Sequence, residues 1–160
     1  MAPLIGSNRY LCIEGLRNIN NTKCIGLKAL YKVSGISDKK INSETISFQI
    51  APRINAVGRI GEPQLILDLF LEDTIEKAID LARKCDNHNR IRKELSGGIE
   101  AEAIALLKSD NDLVAPFILL AQSHWHQGII GIVASRIVEK FHRPTALLAA
   151  SSNGRFRASV

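Results

Sequence analysis

The sequence predicts an α/β chain that is helical through most of its length and turns to strands only near its end. Three observations carry that prediction. Apolar residues recur every three to four positions along most of the stretch from Asn8 to Leu107, the spacing of an amphipathic helix. The pattern becomes strand-like at Ala115 to Ala121 and again at Thr145 to Ala150. Between those two runs, Ile130, Val133, Ala134, Ile137, Val138 and Phe141 return to helical spacing. A strand, helix, strand order implies a parallel pair joined by a right-handed crossover. With 160 residues, 46% of them hydrophobic and 23% charged, the chain can bury a core of one domain or of two small ones.

Each element has its own justification. Asn8 to Asn20 places Leu11, Cys12, Leu16 and Ile19 at helical spacing, and Asn20-Asn21 is a plausible stop. Gly26 to Val33 is a second helix closed by Ser34-Gly35, with Ser37-Asp38-Lys39-Lys40 as a solvated turn. Ser43 caps a short helix through Phe48, and Pro52 ends it because the residue before a proline avoids the helical region, so Ala51 to Gly61 is expected to be irregular or broken helix. Pro63 opens a helix whose apolar face is Leu65, Ile66, Leu69 and Phe70. Thr74 then caps a long helix carrying Ile75, Ala78, Ile79, Ala82, Cys85, Ile91 and Leu95, with Asp86, His88 and Asn89 on a solvated face and a bend or loosening expected at Gly97-Gly98. Ser109 to Asp112 is a loop, and a last strand is expected from Arg155 to Val160.

Composition excludes several classes. The longest apolar runs, Gly128 to Ala134 and Thr145 to Ala150, fall well short of the ~18 residues of a membrane span. Ala2-Pro3-Leu4-Ile5-Gly6 after Met1 lacks the basic start and apolar run of a secretory signal, and a cytoplasmic location is the expectation. Cys12, Cys24 and Cys85 are odd in number and widely spaced, which fits small core hydrophobes better than a disulfide framework or a zinc site. The net charge of +5 is uneven: residues 1 to 60 hold nine Lys or Arg against three acids. Such a surface suits a polyanion, although many soluble proteins share the balance and bind none.

Two segments concentrate glycines, arginines and small polar residues: APRINAVGRIG, Ala51 to Gly61, and HWHQGIIGIVASRIVEKFHRP, His124 to Pro144. In the first, Arg53 and Arg59 bracket Asn55 and Gly58, a pattern suited to gripping a backbone phosphate by forked, charge-assisted hydrogen bonds; a charged surface loop explains it equally well. In the second, a strand passes through His126-Gln127-Gly128 into a helix. Free amides there would attract phosphate, His126 would add a donor, and Gly128 and Gly131 would allow close approach. The competing reading is that the glycines serve helix packing and His126 satisfies a local hydrogen bond. Arg136 lies six residues after Ile130, about 240° off the apolar stripe, and spacing alone favours an ordinary surface arginine there. Arg155 and Arg157 alternate on the last strand near Ser159. His124-x-His126 has the spacing of a metal pair but no third ligand nearby, and Asp110 and Asp112 lack the further acids of a hydrolytic metal site.

Those two segments resemble the signature segments of the RecJ family of single-stranded-DNA-specific exonucleases, in the DHH phosphoesterase superfamily. The resemblance extends through PLIGSNRYLCIEGLRNI and GLKALYKVSGI and covers essentially the whole chain. It implies the helical end of a DHH domain over residues 1–72, a connecting helix over 73–109 and the start of a DHH-associated α/β domain over 110–160, with DNA running in the cleft between the domains. It also implies that the metal-binding aspartates and the Asp-His-His motif lie upstream, so that Met1 is an internal methionine and this segment alone is inactive. The activity implied for the parent protein is Mn²⁺- or Mg²⁺-dependent hydrolysis of single-stranded DNA from the 5′ end, in recombination and repair. By motif match, Arg53, Asn55 and Arg59 would lie near the DNA phosphates from the first domain, with His126, Gly128 and Arg136 facing them from the second and Ser159 nearest the 5′-terminal phosphate. Single-stranded DNA is the expected partner, the expected state a monomer off the membrane. A non-catalytic single-strand-binding module, and a related phosphodiesterase acting on short oligonucleotides or cyclic dinucleotides, are the alternatives.

Overall fold

In the computed structural model, which describes residues 3–36, 41–109, 116–151 and 154–160, the first part of the chain forms helices. They are α1 (Gly6–Asn18), α2 (Ile25–Val33), α3 (Ser43–Thr45), α4 (Ala51–Ile60), α5 (Gln64–Leu71) and α6 (Ile75–Ser109). The later part holds β1 (Ile118–Gln122), α7 (Ile130–Phe141), β2 (Thr145–Ala150) and β3 (Phe156–Ser159). The chain divides into two units, Met1–Asn89 and Arg90–Val160, with the division inside α6. The expected turn at 37–40 and most of the expected loop at 109–112 lie outside the described residues.

The core of the first unit gathers Leu30, Ile36, Val57, Leu69, Ala82 and Cys85. Gly26 sets how closely α2 meets α5: a Cβ there would collide with the carbonyl group of Leu69, so only glycine fits. Gly35, at φ +70°, turns the chain after α2 as its position after Ser34 predicts. α1 contributes no fully buried residue. Its Leu11 and Cys12 are exposed, so the reading of Cys12 as a core residue is corrected, while Cys85 is fully buried and its thiol is pushed up to about 11 by burial.

The largest correction concerns Ala51 to Gly61. Asn42, rather than Ser43, caps the incoming helix, accepting from the Thr45 amide at 2.8 Å in a reciprocal capping box. The helix then passes through a π-helical turn over Ile46–Ile50, in which the Ala51 amide bonds back to the Ile46 carbonyl. That wider turn shifts the hydrogen-bond register and leaves Pro52 in the first turn of α4, where its missing N–H costs nothing. The predicted irregular stretch is therefore regular α-helix.

Thr74 opens α6 as expected, its carbonyl accepting from the Ala78 amide at 3.0 Å, while its hydroxyl donates to Glu72. The Thr74 hydroxyl and amide hold the Glu72 carboxyl below its usual range. α6 runs for 35 residues without interruption, so the looser region expected at Gly97-Gly98 does not form. Strong helix formers on either side outweigh about 1 kcal/mol per glycine. The solvated face expected at Asp86, His88 and Asn89 is also corrected. Asn89 is buried, Asp86 pairs with Arg53, and the His88 ring lies against Gly61, where a Cβ would meet its Nε2 at 2.5 Å. No described helix is long and apolar enough to cross a membrane.

In the second unit β2 is central, parallel to β1 with Ile118 opposite Thr145 and antiparallel to β3 with Leu147 opposite Ser159. The strand, helix, strand order and the parallel pair are as the periodicity predicts. α7 packs Ile130, Val133, Ala134 and Ile137 inward, and β2 buries Thr145, Ala146, Leu147 and Ala149. Gly154, at φ +74°, closes the hairpin into β3, with the Ser151 amide bonded to the Arg155 carbonyl at 2.7 Å.

Candidate nucleic-acid interface

The regular helix α4 sorts the residues of the first segment by angle. Asn55, Gly58 and Arg59 stand three and four positions apart and share an exposed face, and a Cβ at Gly58 would meet nothing within 4 Å. Ala56 and Val57 lie on the opposite, buried side. Arg53 is six residues before Arg59, about 240° round a regular helix, and does not join that face. Its Nε donates to Asp86 Oδ1 at 2.7 Å and its Nη1 to the Gln49 carbonyl, leaving the side chain only 17% exposed. A forked grip by both arginines needed irregular backbone; α4 brings Asn55 and Arg59 together and turns Arg53 into the protein.

The second segment forms the turn from β1 into α7, and its amides are not free as the sequence led us to expect. The His126 carbonyl accepts from the amides of Ile129 at 2.9 Å and Ile130 at 3.2 Å, and its ring Nδ1 accepts from the Gly128 amide at 3.1 Å. A backbone N–H can only donate, so Nδ1 carries no proton and the ring proton of the neutral imidazole sits on Nε2. His126 thus closes the turn that leads into α7 and still presents one N–H donor. Ser159, at the end of β3, reaches the first turn of α7: a Cβ on Gly131 would lie 2.8 Å from its hydroxyl oxygen. Gly131 therefore makes room for Ser159, a contact between elements that spacing alone could not give. Arg136, further along α7, donates to Glu100 Oε2 at 2.9 Å and remains partly exposed.

Sequence reasoning missed Glu102. Its Oε2 accepts from the Trp125 indole at 2.8 Å and lies 3.0 Å from His124 Nε2, and these two contacts, the indole first, hold its carboxyl below the usual range. Trp125, the chain's one tryptophan, is 3% exposed and so offers no face for base stacking. Glu102 gave no signal because a lone acid on a mixed-charge helix looks solvated. An open groove of about 450 Å³ runs beside this cluster, lined by Leu95, Gly98, Ile99, Glu102, Trp125 and His126 among others. Among the described residues no group of three or more His, Cys, Asp or Glu is placed to hold a metal ion. These residues do not fit a metal centre, and no hydrolytic step is assigned to them.

Helices, the 35-residue α6 and a small three-stranded α/β unit make up an α/β fold that solved RecJ structures share over nearly the whole chain. No family model matches the chain. The single-stranded-DNA-specific exonuclease RecJ of Escherichia coli (strain K12) is 36% identical over 163 residues, covering 99% of this chain and 28% of that protein. RecJ of Thermus thermophilus is 38% identical over 149 residues, covering 93% of this chain and 21% of its own length. The crystal structure of RecJ in complex with Mn²⁺ from Thermus thermophilus superposes with a TM-score of 0.79 at 37% identity, over 99% of this chain and 23% of that one. A second structure, of exonuclease RecJ bound to manganese, gives a TM-score of 0.76 at 39% identity over 93% of this chain and 37% of that one. In sequence and in fold the chain matches a segment of RecJ, and it spans about a quarter of the length of the curated relatives it matches.

Proposed function

We propose that this chain is the DNA-holding segment of a metal-dependent 5′ to 3′ single-stranded-DNA exonuclease of recombination and repair, cytoplasmic and monomeric. The residue ranges 1–72, 73–109 and 110–160 are then the end of its DHH domain, its connecting helix and the start of its associated domain. The similarity to RecJ over 99% of the chain, in sequence and in fold, is the observation that carries this reading. Mn²⁺ or Mg²⁺ would be held by residues of the parent protein outside this segment; relatives of known structure were solved with those ions.

The geometry supports a division of labour among the residues present. Asn55 and Arg59, on one exposed helical face, offer an amide and a guanidinium to successive phosphates, contacts that fix the strand without reading its bases. His126 offers Nε2–H and Ser159 its hydroxyl, both at the start of α7. The Gly128 amide orients the His126 ring, and Arg136 contributes what charge remains beside Glu100, while Arg53, turned inward to Asp86, adds little to phosphate binding. Each is a positioner of negative charge and none is a nucleophile.

The test is a titration of the 160-residue chain into a fluorescent, 5′-phosphorylated oligothymidine at several salt concentrations, with and without Mn²⁺. Affinity should fall steeply with salt, as counterion release requires, and the oligonucleotide should remain intact. Robust Mn²⁺-dependent shortening by this chain alone would overturn the division of labour, and salt-independent or absent binding would overturn the phosphate contacts.

A further inference from the structure

The three consecutive side chains of the turn before α7 are held from two sides. Trp125 and His124 reach the same carboxylate oxygen of Glu102 on α6, at 2.8 Å and 3.0 Å. An ionised carboxylate only accepts, so both ring nitrogens donate to it. His126, next in sequence, turns its Nδ1 to the Gly128 amide and lines the open groove. Trp125 is almost wholly buried, and its indole N–H lies 2.8 Å from Glu102. A buried donor without an acceptor is costly, so loss of that carboxylate would draw Trp125 out of its seat and pull the adjoining backbone with it.

We propose that Glu102 is a positioning residue for the nucleic-acid interface: by gripping Trp125 and His124 it fixes the turn in which His126 keeps its proton on Nε2 and presents it to a phosphate. This deepens, and rests on, the reading of His126 as a phosphate contact. Glu102 itself touches no DNA in this scheme, since a second negative charge at the phosphate would repel it. The effect passes through the backbone of two adjacent residues, and no longer path is invoked.

The test uses the ¹⁵N-labelled chain with Glu102→Gln, Glu102→Ala, His126→Ala and the double variant Glu102→Ala/His126→Ala. Long-range ¹H–¹⁵N spectra report the tautomer of His126, emission reports the single tryptophan, and anisotropy with 5′-phosphorylated oligothymidine reports binding. We expect wild-type His126 in the Nε2–H form. Glu102→Ala should mix the tautomers, shift Trp125 emission to the red and weaken binding about tenfold, the loss of roughly one charge-assisted hydrogen bond. The double variant should bind no more weakly than His126→Ala. Glu102→Gln keeps an acceptor for the indole and should stay within about threefold of wild type. An unchanged His126 tautomer and affinity in Glu102→Ala, with only the emission shifted, overturns the proposal and leaves Glu102 as support for Trp125. Wild-type affinity in His126→Ala, with the tautomer still mixed in Glu102→Ala, overturns the phosphate role of His126 instead. Should Glu102→Ala fail to fold, Glu102→Gln decides, because loss of the charge must still loosen the His124 ring; an unaltered His124 spectrum there overturns the proposal.

Discussion

Helix α4 and the turn before α7 are furnished with similar residues, yet they present them by opposite means. On α4, Asn55 and Arg59 share a face because a regular helix repeats every 3.6 residues. In the turn no period does this. His126 is oriented by a hydrogen bond to its own neighbour Gly128, and the turn is pinned by Glu102, more than twenty residues earlier. A periodic element thus sets which side chains share a face by its repeat alone, whereas an aperiodic one depends on contacts made elsewhere in the chain. Removing Asp86 from Arg53 should therefore leave the α4 face in place, while removing Glu102 should disturb the presentation of His126.

The largest expected effect falls on a residue that the sequence assigns to phosphate and the fold uses internally. Arg53→Ala should destabilise the first unit by about 2 kcal/mol, because it strips Asp86 and the Gln49 carbonyl of a mostly buried partner; Asp86 is partly exposed, which keeps the loss below that of a fully buried pair. Urea unfolding measures it. Oligonucleotide affinity should hardly move, and a tenfold loss with unchanged stability would erase the distinction drawn between Arg53 and Arg59.

Gly131→Ala comes next, at about 1–2 kcal/mol, since the added Cβ would stand 2.8 Å from the Ser159 hydroxyl. Ser159→Ala in the same chain should return most of that stability, and failure to do so in thermal melts would place the strain elsewhere. Arg59→Ala should weaken oligonucleotide binding about fivefold and reduce the salt slope by about one, read from anisotropy titrations at several salt concentrations. The smallest effect is on acid stability. Folding lowers the pKa of Glu102 below its ordinary 4.5, so its contribution is present above that pH and is lost as pH falls through the lower folded value. Glu102→Gln should flatten that slope in urea melts followed by Trp125 emission from about pH 5 downward; an identical slope in both proteins would deny the carboxylate its role.

Much of the fold was legible because it is encoded locally. The stripes Leu65, Ile66, Leu69, Phe70 and Ile130, Val133, Ala134, Ile137 place α5 and α7 correctly, and Thr145 to Ala150 is β2 to the residue. The reading of Ala51 to Gly61 failed on Pro52. The rule that a proline disrupts the preceding helix holds for an α-helical register, and the π-helical turn at Ile46–Ile50 changes that register. The face at Asp86, His88 and Asn89 was misread for a different reason: polar residues look solvated until a partner such as Arg53 is brought to them.

The sequence by itself carried the resemblance to RecJ, the helical and strand periods, and which residue types stand ready for phosphate, since all of these are properties of neighbours along the chain. Only the tertiary structure decided which of those residues are already engaged. That Arg53 belongs to Asp86, that Gly131 yields its space to Ser159, and that Glu102 holds the turn of His126 are contacts across some twenty to thirty residues of chain. Hydrogen-bond partners at that separation are set by packing, which a one-dimensional pattern does not contain.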